Sequence, residues 1–322
     1  MLAYGLCFQG TETPDQVRQM SRVAEEGGVE TIWFACHLFQ REPIALATMA
    51  LGCTTRVKVA LMAMSPYVIH PVYLAMVAAT LDEMFPGRVV LCLGVGAPRD
   101  LQAAGIESPQ PLAVLEQSIG LIRQLFEGRV VSYQSERFQV SGRGLNTGKC
   151  DVPIVLAASG PQMLQLAGKA ADGVLISAAT SVEFVRWCLE KVAQGETSAA
   201  RTVKHYGVVY AAASDNRVEA YDRLRRTLAF ILRGAHHARN LELAGTSLDQ
   251  EALAKAFIEG EWEQISKFVD DDVVRKHSAS GTPDDVRSSF GLYNSVGLDE
   301  VVLAGQESAQ DLEALLKTVG AI

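Results

Sequence analysis

One stretch decides how this chain is interpreted: Ala60-Leu61-Met62-Ala63-Met64-Ser65-Pro66-Tyr67, followed by Val68-Ile69-His70-Pro71. Its first residues are apolar and predict a buried strand, which ends at Ser65 and Pro66. Pro71 predicts the start of a helix, because proline fits the first helical turn. In a chain of repeated strand–helix units, ligand-binding residues gather at the carboxyl ends of strands. The end of this strand is therefore a candidate binding site.

Strand-like and helix-like patterns alternate along the whole chain. The predicted strands span residues 3–8, 30–34, 57–62, 88–93, 153–157, 173–177, 205–212 and 300–304. Capping sequences indicate helix starts at Thr13-Pro14-Asp15-Gln16, Thr180-Ser181-Val182-Glu183 and Thr282-Pro283-Asp284-Asp285. Eight strands, each followed by a helix-length segment, favour an α/β fold of the TIM (β/α)8 barrel type over a doubly wound sheet.

Two segments interrupt this alternation. Residues 128–151 follow the fourth predicted helix and contain Gly142, Gly144 and Gly148, which indicates an excursion in which a hairpin is one option. Residues 232–281, between strands seven and eight, predict a longer and mostly helical excursion. Insertions on barrel loops usually shape the substrate entrance. Because no low-complexity linker divides the chain, we expect a single domain over residues 1–322.

Composition excludes several classes of protein. The 322 residues carry 29 Lys and Arg against 37 Asp and Glu, a net charge of -8 without the basic stripe of nucleic-acid binders. The longest apolar runs have strand length, so no membrane span is expected. Residues 1–6 show no basic secretory region, which predicts a cytoplasmic protein. The 6 cysteines form no CxxC pair, which favours reduced thiols over a metal site.

Two further strand ends have the composition of ligand-binding turns. Leu93-Gly94-Val95-Gly96-Ala97 closes strand four, and its glycines allow a ligand to approach the backbone, although glycines also serve plain turns. Ala157-Ala158-Ser159-Gly160-Pro161-Gln162 closes strand five and opens a helix. Free N–H groups at a helix N-terminus favour a phosphate. An ordinary strand-to-helix turn is the alternative.

Together these segments resemble a known family. The similarity runs through Ala24-Glu25-Glu26-Gly27-Gly28, Ile32-Trp33-Phe34, His37-Leu38-Phe39, Ser65-Pro66-Tyr67, Pro86-Gly87-Arg88, Gly94-Val95-Gly96, Ala158-Ser159-Gly160-Pro161, Ala170-Ala171-Asp172-Gly173 and Gly297-Leu298-Asp299-Glu300. It covers nearly the whole chain. The chain resembles the bacterial luciferase-like monooxygenase superfamily, and within it the F-420-dependent, methylenetetrahydromethanopterin reductase-like branch.

The resemblance implies a flavin or deazaflavin ring at the carboxyl ends of the barrel strands. It also implies a non-proline cis peptide bond at Met62–Ala63, forming a bulge behind the ring; without the family context, Met62 and Met64 are ordinary core residues. The implied cofactor is coenzyme F-420, with FMN as the alternative, and the implied partners are a small-molecule substrate and a second copy of the chain. The implied cofactor-binding residues are Cys7, Cys36, Met62, Ala63, Met64, Gly94, Val95, Gly96, Ala97, Ala158, Ser159, Gly160, Pro161 and Gln162.

Two positions depart from the family pattern. Family members often have Asp-His at the end of strand two, where this chain has Cys36-His37, and the methanogenic reductase has a carboxylate where this chain has Cys7. A thiol is a poor hydrogen-bond acceptor, which argues against the methanopterin reaction itself and weakens the F-420 assignment. Cys7 and Cys36 are interpreted as buried small residues rather than as a redox pair, since no activating cation is evident.

His37 is the candidate catalytic residue, because its pKa lies where proton transfer is useful; a structural hydrogen bond is the alternative. We predict an oxidoreductase that transfers a hydride between a deazaflavin or flavin and a small organic substrate. An FMN-dependent monooxygenase and a non-catalytic flavin-binding barrel are the alternatives. A sugar-phosphate barrel enzyme would need a lysine or carboxylate at a strand end, whereas Lys58 begins strand three.

Overall fold

The structure, a computed structural model, describes residues 2–321. Its strands are β1 Ala3–Phe8, β2 Thr31–Ala35, β3 Lys58–Met64, β4 Val89–Leu93, β5 Val131–Gln134, β6 Gln139–Arg143, β7 Ile154–Ala158, β8 Gly173–Ile176, β9 Lys204–Ala213, β10 Ala279–Gly281 and β11 Glu300–Ala304. Its helices are α1 Pro14–Glu26, α2 Pro43–Cys53, α3 Pro71–Met84, α4 Pro98–Ala103, α5 Pro111–Phe126, α6 Pro161–Ala170, α7 Val182–Ala199, α8 Arg217–Leu232, α9 Ala238–Leu243, α10 Gln250–Glu259, α11 Trp262–Phe268, α12 Asp271–His277, α13 Pro283–Ser295 and α14 Ala309–Thr318.

Eight parallel strands close into a barrel in the order β1, β2, β3, β4, β7, β8, β9, β11, and β11 returns to pair with β1. Each corresponds to one predicted strand, with bounds that differ by at most 2 residues. The predicted TIM barrel is therefore confirmed. The sequence did not predict β10, which pairs with the end of β9 and is too short to show a periodic pattern.

The barrel strands are buried on both faces, which explains their continuous apolar sequence. Leu6 and Leu61 belong to the core between the barrel and its helices. Trp33, Cys92 and Val302 belong to the core inside the barrel. The chemistry must therefore be supplied at the strand ends.

The helix starts follow the predicted capping chemistry. Thr13 and Thr282 both form capping boxes at α1 and α13. At α7 the N-cap is Ser181, which accepts a hydrogen bond from the N–H of Phe184, while the Thr180 hydroxyl donates to Ser177 instead. These caps fix where each helix leaves its strand.

Both predicted excursions are present. The first contains the antiparallel hairpin β5–β6, and the second contains helices α9 to α12. Asn240 ties the second excursion to the loop after β8, because its side chain accepts from Ser181 N at 2.9 Å and donates to Ala179 O at 2.7 Å. Lys58 is exposed at the beginning of β3, as predicted, and so lies at the end of the barrel opposite the strand termini considered below. Within residues 2–321, no helix has both the length and the apolar character needed to cross a bilayer.

Candidate functional site

The carboxyl end of β3 is irregular. The Met62–Ala63 peptide bond is cis, and the pairing of β3 with β4 shifts register in the same segment. Cys36 N donates to Met62 O at 2.5 Å, and Gly94 N donates to Met64 O at 3.1 Å, so both neighbouring strands hold this segment. The cis bond and the bulge implied by the family resemblance are confirmed.

Gly94, Ala63 and Ala157 form a floor at this end of the barrel. A Cβ atom on Gly94 would lie 2.7 Å from the Ala63 Cβ and 3.4 Å from the Ala157 Cβ, so the glycine leaves no room for a side chain. Ala63 and Met62 are half-buried. The floor thus consists of small apolar residues, which leave room for the face of a planar ring.

The two residues flanking this floor face the other way. Met64 is fully buried, and Ala158 is 7% exposed; both side chains lie in the core between barrel and helices. For Met64 the structure therefore supports the core-packing alternative, and only its backbone reaches the strand end. Strand alternation places Ala157 on the inner side, where the sequence analysis had proposed Ala158.

A cleft separates the ends of β2, β3 and β4. Its lining includes Cys36, Ala63, Ser65, Gly96, Ala97 and Asp100. Ser65 Oγ donates to the carbonyl of Val95 at 2.6 Å, which joins the two loops that form the cleft. Four of the predicted cofactor-binding residues, Cys36, Ala63, Gly96 and Ala97, therefore meet in one cleft.

The turn after β7 presents the open N-terminus of α6. Pro161 is the first helical residue and Gly160 is the N-cap, with no side-chain hydrogen bond at the cap. A Cβ atom on Gly160 would meet nothing within 4 Å, and Gln162 is exposed. The N–H groups of the first turn therefore face open space, as an anion such as phosphate requires.

His37 lies beside a carboxylate that the sequence analysis did not identify. Its Nδ1 atom is 3.8 Å from Asp100 Oδ2. Burial lowers the pKa of His37, and the negative charges of Asp100 and Glu12 partly oppose that effect. The ring is therefore mainly neutral at pH 7 and has a nitrogen that can accept a proton. Asp100 lies in the short helix α4, in a segment without a recognisable motif, so only the tertiary structure reveals it.

Comparison with known proteins places these features in a family. The family described as luciferase-like monooxygenase matches residues 5–300. This chain belongs to the luciferase-like monooxygenase family. Its 5,10-methylenetetrahydromethanopterin reductase relative from Archaeoglobus fulgidus is 32% identical over 307 residues, which cover 93% of this chain and 92% of that protein.

Two solved structures share the luciferase-like fold. The coenzyme F-420-dependent tetrahydromethanopterin reductase from Methanopyrus kandleri superposes with a TM-score of 0.91 at 23% identity, covering 99% of this chain and 98% of that chain. The oxygenating constituent of 3,6-diketocamphane monooxygenase from Pseudomonas putida, in complex with FMN, superposes with a TM-score of 0.76 at 17% identity, covering 100% and 99%. The resemblance that the sequence indicated is confirmed.

The thiols of Cys7 and Cys36 in this luciferase-like chain are both uncharged at neutral pH. Cys7 is 5% exposed, Gln9 Nε2 donates to its sulfur at 3.0 Å, and burial raises the pKa of the thiol far above its usual range. Burial also raises the pKa of Cys36, followed by the charges of Glu42 and Asp100. Neither environment favours a thiolate, so the interpretation of both as packing residues is preferred to a redox pair.

Proposed function

We propose that this luciferase-like protein is an oxidoreductase that transfers a hydride between coenzyme F-420 and a small organic substrate. The observation that carries the proposal is the floor of small residues, Ala63, Gly94 and Ala157, which is followed in the chain by the open N-terminus of α6. The floor fits a planar ring, and the helix N-terminus fits the phosphate of the same cofactor. The reductase from Archaeoglobus fulgidus, 32% identical to this chain, supports the assignment.

The deazaflavin supplies the chemistry, because its ring accepts or gives a hydride when it is bound. The residues of this chain bind and orient it. Met62 and Ala63 would support one face of the ring, and the backbone N–H groups after Gly160 would bind the phosphate. The apolar floor keeps water from that face.

His37 is proposed to hold or move the proton that accompanies hydride transfer. Its partly buried imidazole is neutral, and Asp100 at 3.8 Å favours the ring orientation in which Nδ1 faces the carboxylate. The opposite nitrogen is then available to a substrate. His37 is the only histidine among the predicted site residues, so its removal is a direct test of this role.

FMN remains the second candidate cofactor. The resemblance implies an aspartate in F-420-dependent members at the position of Cys36, and this departure favours FMN-dependent monooxygenation; Cys7 replaces a carboxylate of the methanogenic reductase. The same thiols motivate a third hypothesis, a flavin-binding barrel without catalytic activity.

Titration with each cofactor separates these proposals. The protein is followed by absorbance and by its melting temperature as F-420 or FMN is added. Strong stabilisation by F-420 with little response to FMN supports the proposal, and the reverse supports the monooxygenase. Reduced cofactor is then mixed with a panel of acceptors; tight binding without any oxidation of the cofactor would support the non-catalytic barrel.

We also propose that the protein acts in the cytoplasm as a homodimer. Its 6 cysteines are all free thiols, which suits a reducing compartment. Helix α3 exposes Tyr73, Met76 and Met84, large apolar side chains that a second copy would cover. Sedimentation of the wild-type protein and of Met76→Glu tests the dimer, which the introduced charge should dissociate.

A further inference from the structure

Arg233 is a buried cation without a carboxylate partner. It follows the last turn of α8 and is 7% exposed. Its Nη1 atom has no hydrogen-bond partner, and among residues 2–321 the guanidinium forms no ion pair. Burying a charge in this way is costly unless something compensates it.

Aromatic rings provide part of that compensation. The Arg233 Cζ atom lies 4.1 Å from the Phe230 ring centre and 4.0 Å from the Phe257 ring centre. Cation–π contacts stabilise the charge, but they accept no hydrogen bond from Nη1. The position after α8 also favours a cation, through the helix dipole. Neither contact satisfies the orphaned donor.

The charged group that affects the pKa of Arg233 is a second cation and not a carboxylate. Burial first, and then the charge of Arg99, lowers the pKa of Arg233 to about 10. The same two causes lower the pKa of His236. Arg99 is exposed and, within the described chain, has no salt-bridge partner. Arg233 and Arg99 therefore give the cluster a positive potential with no internal counter-ion, while His236 is mainly neutral at pH 7 and can donate a hydrogen bond.

Arg99 lies at the mouth of the barrel. Arg99 belongs to α4, which directly follows the Gly94–Ala97 turn, and it adjoins Asp100 of the cleft. Helix α8 begins after β9, which lies across the barrel from β4. Its Leu224 side chain would contact a Cβ atom added to Gly305, the residue that follows β11. Since 16 helical residues extend about 24 Å, α8 is long enough to bring Arg233 across the strand ends towards Arg99.

We propose that Arg233, Arg99 and His236 form an anion subsite at this mouth, which binds a carboxylate or phosphate group of a molecule held there. Two molecules could carry that group, the substrate or the tail of the cofactor. An oxygen anion would supply the missing acceptor for Arg233 Nη1 and would relieve the mutual repulsion of the cluster. The inference rests on the proposed function for the identity of the bound molecule, while the anion site itself can be tested without cofactor.

Inorganic phosphate is the probe. The full-length protein is titrated with phosphate at constant ionic strength, maintained with chloride, and binding is measured by calorimetry and by the melting temperature. Arg233→Met keeps an unbranched apolar side chain against the two rings and should weaken phosphate binding about tenfold or more. Arg226→Met is the matched control, because Arg226 also stacks on an aromatic ring, Trp262 at 4.0 Å, but is exposed.

A second variant tests whether weaker phosphate binding by Arg233→Met results only from a folding defect. Arg99→Met removes an exposed cation from the cluster without altering the core and should also weaken phosphate binding, whereas Arg226→Met should bind phosphate like the wild type. If the wild type shows no response beyond that of chloride, or if Arg233→Met and Arg99→Met both bind phosphate as well as the wild type, the proposal is overturned.

Repeating the titration with saturating F-420 identifies the source of the anionic group. Phosphate binding that persists, with an unchanged F-420 affinity in Arg233→Met, assigns the subsite to the substrate. Loss of phosphate binding, together with weaker F-420 binding by Arg233→Met, assigns it to the cofactor tail. Failure of F-420 to bind at all would overturn the proposed function but leave the phosphate result standing.

Discussion

Gly94 on β4 lies directly against Ala63 on β3: a Cβ atom on Gly94 would stand only 2.7 Å from that of Ala63. Side-chain carbons do not approach this closely, so an added methyl group must displace the end of β3. The end of β3 at this contact is where we propose that the cofactor ring binds. The missing side chain of Gly94 is thus a structural requirement of the site.

Gly94→Ala should therefore weaken cofactor binding by about tenfold or more and destabilise the fold by about 1–3 kcal/mol, as overpacked sites do. Cofactor titration and denaturant unfolding measure the two effects. Gly291→Ala is the control, because its Cβ atom would meet nothing within 4 Å and it lies in α13. That variant should gain about 0.5–1 kcal/mol and keep its cofactor affinity. A normal cofactor affinity of Gly94→Ala would contradict the proposal that the ring binds against this floor.

The Asp100 carboxylate should raise the pKa of His37. Asp100→Asn removes that negative charge, so the His37 pKa, already lowered by burial, should fall further. Titration of the His37 ring protons by NMR measures the change. Glu107→Gln is the control, since Glu107 is exposed and does not contribute to the shift. An unchanged His37 pKa in Asp100→Asn would show that the 3.8 Å pair is not formed in solution.

Removal of the imidazole tests the role of His37 in proton transfer. His37→Asn should lower turnover by about 10²–10⁴-fold, the usual contribution of general acid–base catalysis, with cofactor affinity largely retained. Steady-state and single-turnover kinetics at several pH values measure this loss. Turnover close to that of the wild type would leave His37 with the structural role considered in the sequence analysis.

The inside of the barrel should make stability depend on pH. Glu300 is 2% exposed and accepts hydrogen bonds from Trp33 Nε1 at 2.8 Å and Thr31 Oγ1 at 3.0 Å. Burial raises its pKa from 4.5 to about 7, against the effect of these two bonds. Between these values the folded state binds more protons than the unfolded state, so stability falls as pH rises. The contribution is complete below pH 4.5 and is lost above pH 7.

Glu300→Gln should remove this dependence, because the amide keeps an acceptor for Trp33 and does not ionise. The free energy of unfolding of the variant, relative to wild type, should increase by about 3 kcal/mol from pH 4.5 to pH 8. Urea unfolding across that range provides the measurement. Glu26→Gln, an exposed carboxylate at the end of α1 that does not contribute to the Glu300 shift, should not change the slope. Parallel curves for Glu300→Gln and the wild type would contradict a buried, proton-binding Glu300.

Thiol labelling should distinguish the cysteines by burial and by ligand. Cys7, Cys92 and Cys188 are buried and should react slowly in the folded protein, whereas Cys36, Cys53 and Cys150 are partly exposed and should react faster. Saturating cofactor should slow the labelling of Cys36, which lines the cleft, and leave Cys53 at the end of α2 unchanged. Peptide mass spectrometry gives each rate. Equal protection of both residues would indicate a general tightening of the protein rather than a ligand at the cleft.

Local sequence was sufficient to predict the scaffold. Strands buried on both faces are short continuous apolar runs, and proline with a capping hydroxyl marks the helix starts, so the barrel strands were predicted to within 2 residues. The three-residue strand β10 was missed, because so short a segment has no periodicity. The cis bond at Met62–Ala63 came from family resemblance and not from any local pattern.

The sequence alone could not predict the direction of side chains at the strand ends or the contacts between distant residues. Ala157 and Ala158 are chemically identical, and only the pairing of β7 with its neighbours decides which faces the mouth.

The sequence by itself determined the repeated strand–helix order, the turns at the strand ends and the family. Only the tertiary structure placed Asp100 beside His37, Glu300 against Trp33 across 267 residues of chain, and Arg233 over the Phe257 ring. The physical reason is barrel closure: it brings together strand ends and loops that are distant in the chain, and local propensities contain no information about that distance.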